Sequence, residues 1–350
     1  MRALMLPGSR QTELRDVPEP VPGPGQILIR MRAAGLCGSD LHMHYRAAPE
    51  RRHGPVFGLR TDPDVIPGHE PAGVIVGLGP GPHSLCVGDR VAVHHMGGCG
   101  HCIQCRSGWD INCSQKWGVY GLDRPGAMAD LMVARDRDCV TVPDSVSFAE
   151  ACYYSCGAGT GYLALGRATP RPGDSTLVVG LGPVGLSACY FAARAGSVVV
   201  GVDTVDDRRV FASETGVAAT ANPVTEDALQ MVHDRTDGGA DIVIETSGSA
   251  AGRALALAAA VIGGRVVLVG FADSENRIDV EREIIQKQLD VRGAWMFPIT
   301  ALQTMLRSVA RDGADITALI PHRFGIGQGD EAWRSFDGGS VGKTVITWDE

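Results

Sequence analysis

The chain has 350 residues, 44% of them hydrophobic, with 40 acidic against 32 basic side chains and a net charge of −8. Single cores stop growing near ~250–300 residues, so this length implies two domains, and the mixed, mildly acidic charge argues against nucleic acid as a partner. No apolar run approaches the ~18 residues of a membrane span, and Met1–Pro7 lacks the longer apolar core of a secretory signal, so the protein is expected in the cytoplasm with its thiols reduced.

In chain order, residues 1–154 read as short β segments cut by glycine and proline. Gln26–Met31 and Ala72–Gly77 are apolar strand-like runs, and Asp89–Val93 is a third, entered by the turn Val87-Gly88-Asp89. Between the first two lie Cys37-Gly38-Ser39-Asp40-Leu41-His42 and Gly68-His69-Glu70, separated by a polar, basic Met43–Asp64 segment that reads as a long surface loop. Next comes a lobe at about 95–115. It carries Cys99, Cys102, Cys105 and Cys113 at spacings of three, three and eight. Four thiolates so spaced can wrap one tetrahedral cation, for which zinc is the natural guest. A disulfide framework suits a large chain without a secretion signal less well.

The pattern changes near residue 155. Thr176–Val179 is a buried-strand run, Pro183–Ala195 suits a helix, and Ser197–Val202 is a second strand. Ala240–Ile244 and Arg265–Val269 repeat the strand pattern with alanine-rich helical stretches between, which implies a parallel sheet. Gly180-Leu181-Gly182-Pro183-Val184-Gly185 lies between a strand and a helix. There Gly180 permits the tight turn, Gly182 lets a pyrophosphate approach, and Gly185 lets helix and strand pack closely. Asp203, eighteen residues beyond Gly185, closes the second strand. A carboxylate there accepts ribose hydroxyls and repels a 2′-phosphate, which favours NAD over NADP; Arg208 nearby pulls the other way. After about Asp290 the pattern changes again, ending in the strand-like Thr344–Thr347, which could return to the first domain.

Cys37, His69 and Cys156 come from distant segments. Two cysteines and one histidine make an open zinc site whose fourth position is left for substrate or water. Taken one by one, each is equally an inert thiol or a structural histidine. Together with the cysteine lobe, Gly68-His69-Glu70 and the glycine motif with Asp203, they make the whole chain resemble the zinc-dependent medium-chain alcohol and polyol dehydrogenases. The resemblance implies an α/β protein: a GroES-like, mostly β catalytic domain (1–154), a Rossmann NAD-binding domain (155–292) and a C-terminal segment (293–350) returning to the first.

It implies two zinc ions per chain. Cys37, His69 and Cys156 would hold a catalytic zinc, with Glu70 a further candidate ligand, and the four lobe cysteines a structural one. It implies that Ser39 passes a proton through the cofactor ribose to His42 at the surface, while Asp40 fixes a ligand imidazole. His95, Trp295 and Met296 would line the substrate pocket, Val269 and Ala294 would lie near the nicotinamide through their backbone, and Lys343 would reach the pyrophosphate. The reaction expected is hydride transfer between NAD and a secondary alcohol, polyol or amino alcohol, or the matching ketone or aldehyde. An NADPH-dependent biosynthetic reductase and a non-catalytic nucleotide-binding protein are the alternatives. Relatives suggest a homodimer or homotetramer.

Overall fold

Two structural units make up the chain, Met1–Gly159 with Phe297–Glu350, and Thr160–Met296. The computed structural model describes residues 1–46, 62, 64–115, 118–271 and 277–348. The boundaries thus fall at 159/160 and 296/297 rather than 154/155 and 292/293. The first lies inside the helix Gly157–Ala168, which no local change of composition marks.

The first unit is built on a seven-stranded sheet. Its order is His322–Gly325, Thr344–Thr347, Gln26–Gly35, Pro71–Leu78, Arg90–Val93 and Cys139–Thr141, with Leu131–Arg135 also paired to Gln26–Gly35. Along Gln26–Gly35, Ile27, Ile29 and Met31 are fully buried while the residues between are not, the alternation expected of a pleated strand with one face on a core. Ile75, Val91, Val93, Met132, Trp333 and Ile346 complete that core. The Gln26 strand runs four residues past Met31 because Thr344–Thr347 pairs antiparallel with its far end, Val345 opposite Gly35.

Of the Met43–Asp64 segment, Met43, His44 and Tyr45 are buried in the π-helical turn Leu41–Tyr45, not in a surface loop. Tyr45 stacks on Trp333 with ring centroids 5.4 Å apart, and His44 Nε2 lies 2.9 Å from Gly121 O, which holds this stretch down. Most of the remaining segment lies outside the described residues.

The second unit is a six-stranded, wholly parallel sheet in the order Ala219–Ala221, Val198–Val202, Ser175–Val179, Ala240–Glu245, Ala260–Leu268, Asp290–Gly293. Numbered along the chain this is 3-2-1-4-5-6, the doubly wound order expected, with its switch point at Ser175–Val179. Leu177, Val178 and Val179 are buried on both faces, which explains their unbroken apolar run. The helix Pro183–Arg194 starts at the N-cap Gly182 with Pro183 in its first turn, where a missing N–H costs nothing.

Candidate functional site

In the first unit the cysteine lobe closes on itself. Cys99, Cys102, Cys105 and Cys113 present four sulfurs within 4.8 Å of one another. The Cys99–Cys105 and Cys102–Cys113 sulfurs are 4.0 and 3.8 Å apart. A tetrahedral zinc with Zn–S bonds of about 2.3 Å has sulfur–sulfur edges of about 3.8 Å, so the set fits that ion. Backbone amides of Cys99 and Gln115 donate to the Cys113 sulfur, and that of Cys102 to Cys99, as they would to thiolates. Such backbone donors pull the Cys102 thiol down to about 5, while burial pushes Cys105 up to about 12. Four thiols this close ionise together only when a cation shares their charge. No disulfide joins the four lobe cysteines.

The second cluster brings together Cys37, His69, Glu70 and Cys156, each with a donor atom within 4.8 Å of the others. Cys37 and Gly38–Asp40 follow the end of the Gln26–Gly35 strand, and His69 and Glu70 directly precede Pro71–Leu78, its antiparallel neighbour. Cys156 follows the helix Phe148–Tyr154, whose start is fixed by a capping box between Ser147 and Glu150. The sheet and this helix together bring near one another donor side chains up to 119 positions apart (Cys37 to Cys156).

Asp40, fully buried, faces His69 Nδ1 at 3.0 Å through Oδ1. It accepts the Nδ1 proton and leaves the Nε2 lone pair for the cluster. Burial works against a charged His69, yet Asp40 and Cys37 raise it well above the ordinary imidazole range. A hydrogen bond from Cys156 holds Cys37 well below the ordinary thiol range, and the same bond, with burial, pushes Cys156 up. One proton shared by two thiols beside an imidazole is a set from which a divalent cation displaces protons.

Ser39 Oγ lies 3.3 Å from His69 Nε2. His42 is exposed. The His95 ring sits edge-on to His69, 4.8 Å between centroids, and burial together with His69 and His94 keeps it well below 6.5, a neutral imidazole. Glu70, fully buried, is pushed up to about 8 by burial, against the pull of Lys343. Lys343 is itself buried, with Nζ 2.5 Å from Glu70 Oε2 and donating to Leu36 O at 2.7 Å. This corrects its expected place at a pyrophosphate: its ammonium is spent inside the first unit.

Sequence reasoning also passed over His94 and Asp110. His94 is fully buried, its Nε2 2.6 Å from Phe297 O and its Nδ1 3.7 Å from Asp110 Oδ2 within the cysteine lobe. The pair His94-His95 at the end of an apolar strand was the available signal.

In the second unit, Gly180, Gly182, Asp203 and Arg208 line one cavity of about 590 Å³ with Thr246 and Ser247. Gly180 has φ +92°, which favours glycine. A Cβ on Gly185 would overlap Gly180 O, whereas one on Gly182 would meet nothing within 4 Å, which leaves open space where a phosphate would approach. Pro183 and Val184, half-buried, begin the helix behind them. Asp203 accepts the Leu181 amide at 2.7 Å and the Val205 amide at 2.9 Å, and Arg208 Nη1 stands 3.8 Å from its Oδ2. Val269 and Ala294 follow the carboxyl ends of neighbouring strands, their amides bonded to Glu245 O and Leu268 O. They share the sheet edge where the glycine loop lies. Trp295 is 37% exposed, and Met296 has φ +54°.

The family model for the alcohol dehydrogenase GroES-like domain matches residues 23–144, and that for zinc-binding dehydrogenases matches 183–311. An uncharacterized zinc-type alcohol dehydrogenase-like protein from Escherichia coli K12 is 35% identical over 99% of both chains. The chain belongs to the zinc-type alcohol dehydrogenase family. It is an oxidoreductase acting on alcohols. Deinococcus radiodurans L-threonine 3-dehydrogenase is 29% identical over 94% of this chain and 92% of its own. Among solved structures, alcohol dehydrogenase TADH from Thermus sp. ATN1 superposes with a TM-score of 0.88 at 26% identity, covering 99% of each chain. No helix among the described residues of this family member is long and apolar enough to cross a membrane.

Proposed function

We propose that the protein is an NAD-dependent dehydrogenase of secondary alcohols, polyols or amino alcohols that uses a catalytic zinc held by Cys37, His69 and Cys156, with a second, structural zinc in the cysteine lobe. The observation that carries this reading is the Cys37–His69–Glu70–Cys156 donor set, half-buried at Cys37 and buried at the other three, with Asp40 behind the imidazole. Bound there, zinc would supply Lewis acidity toward the substrate hydroxyl, and a nicotinamide cofactor would supply the hydride acceptor. The chain supplies the rest. Asp40 fixes the His69 ring; Ser39, beside it, takes the substrate proton; exposed His42 returns it to solvent. Neutral His95 offers a polar contact to a second oxygen or nitrogen of the substrate, which suits a polyol or amino alcohol such as the substrate in the name of the threonine dehydrogenase relative.

Asp203, 8% exposed in the dinucleotide cavity, supports NAD. Arg208 on the same cavity supports the second reading, an NADPH-dependent carbonyl reductase. A panel of alcohols, polyols, threonine and ketones, assayed with both cofactors, separates the two. His69→Ala should abolish turnover while leaving NAD binding intact. A variant with normal turnover, or metal analysis that finds one zinc per chain unaltered by Cys37→Ala, sinks the catalytic-zinc reading.

A further inference from the structure

A carboxylate stands beside the ligands of the proposed metal, where it would take the fourth position meant for substrate if it moved onto the ion. Glu70 is 0% exposed and has an oxygen within 4.8 Å of the donor atoms of Cys37, His69 and Cys156. Its Oε2 is 2.5 Å from Lys343 Nζ, and its Oε1, also buried, has no hydrogen-bond partner among the described residues. Lys343 is held as firmly. It is 1% exposed, donates to Leu36 O at 2.7 Å, and points its ammonium at the Tyr153 ring, 5.4 Å from the centroid. Gly35 forms the floor under the pair: a Cβ there would overlap Glu70 Oε2 and come within 2.8 Å of Lys343 Cε. A lysine so placed faces no solvent, and among the described residues its one carboxylate ion pair is with Glu70.

We propose that Lys343 is a positioning residue that parks Glu70 beside the metal ligands rather than on the metal, and so keeps the fourth position open. This rests on the assignment of Cys37, His69 and Cys156 as ligands. The charge count supports it. Two thiolates and the carboxylates of Glu70 and Asp40 face one ammonium and one divalent cation, an excess of one negative charge that leaves no cation to spare, and buried charges persist only when paired. With the ammonium in place the carboxylate has a counter-ion already. Without it, the metal is the remaining cation, and a Glu70 carboxylate oxygen already stands within the donor cluster.

The test uses the full-length holoprotein and its cobalt-substituted form, read by metal release into a chromophoric chelator and by the cobalt d–d spectrum. Lys343→Met should slow the release phase of the catalytic site by about tenfold, the lower end of what ligand-supporting residues change, and shift the d–d bands. Lys343→Arg should behave as the parent, and adding Glu70→Gln to Lys343→Met should restore the parent release rate. Unchanged release and spectrum in folded Lys343→Met overturn the proposal. Should Lys343→Met not fold, Glu70→Gln alone decides: an unaltered cobalt spectrum supports a parked carboxylate, and a shifted one means that Glu70 already ligates. Cys37→Ala identifies the relevant phase. If it removes neither release phase, the ligand assignment falls, which is a different failure from that of the lysine.

Discussion

Replacing Asp203 by Asn removes one charge from the dinucleotide cavity and separates two effects that a single affinity would merge. The carboxylate accepts the amides of Leu181 and Val205. An asparagine has one acceptor oxygen, so one of those bonds is lost, worth about 1.5–3 kcal/mol for a charged acceptor. That loss loosens the glycine turn for both cofactors alike and cancels in their ratio. The charge term does not cancel. Two unit charges about 4 Å apart at an effective dielectric near 20 repel by about 4 kcal/mol, and Arg208, 3.8 Å from Asp203 Oδ2, offsets part of this. A remaining difference of about 3 kcal/mol is roughly a hundredfold. The kcat/KM for NADPH relative to NADH, measured by initial rates with one carbonyl substrate, should rise about a hundredfold in Asp203→Asn. A ratio that moves less than threefold, in a protein whose thermal unfolding shows it folded, refutes the role given to the carboxylate.

Asp40→Asn should weaken metal retention at the Cys37–His69–Cys156 cluster by about 10–100-fold in a chelator competition, because the amide no longer fixes the His69 tautomer; equal retention contradicts that role. Gly185→Ala should lower stability by at least ~1–3 kcal/mol, since its Cβ overlaps the Gly180 carbonyl, a backbone atom that cannot step aside. Denaturant melts read this, and a parental midpoint counts against the packing argument. Arg265→Met breaks a buried pair in the second unit, where Nη2 meets Asp174 Oδ1 at 2.7 Å, and should cost about 3–5 kcal/mol at pH 7. Although burial pushes Asp174 up, the Arg265 hydrogen bond holds it below its usual range. Its contribution is therefore complete above the unfolded value of about 3.9 and fades as pH falls through the folded one. The stability gap between parent and variant should narrow below about pH 4; a gap constant from pH 7 to 3.5 excludes the ion pair as its source.

What could be read from the residues alone followed how far apart the partners lie in the chain. The cysteine lobe spans fifteen positions, and the glycine turn, its helix and Asp203 span 24 from Gly180 to Asp203, so spacing alone was enough to group the residues that the fold brings together. The parallel sheet was legible because both faces of its strands are buried and the apolar runs are unbroken. Lys343 was not. Its partner Glu70 is 273 positions away, and a lone lysine before a terminal strand looks the same whether it faces water or a carboxylate. His94 was overshadowed by its neighbour, since its contacts with Phe297 and Asp110 come from segments that only the folded sheet brings near. The start of the Met43–Asp64 segment misled through composition: its histidines and arginines are polar, while Met43 among them is buried and Tyr45 stacks on Trp333.

The pairing of Thr344–Thr347 with Gln26–Gly35 has a consequence in time. Val345 lies opposite Gly35, 310 residues later in the chain. At synthesis rates of about 5–20 residues per second, the Gln26 strand waits roughly 15–60 s for that neighbour. The second unit, continuous from Thr160 to Met296, is complete well before it. Glu70 waits for Lys343 through nearly the same interval, so a nascent chain offers Cys37, His69, Glu70 and Cys156 to passing metal ions before the lysine arrives to balance them.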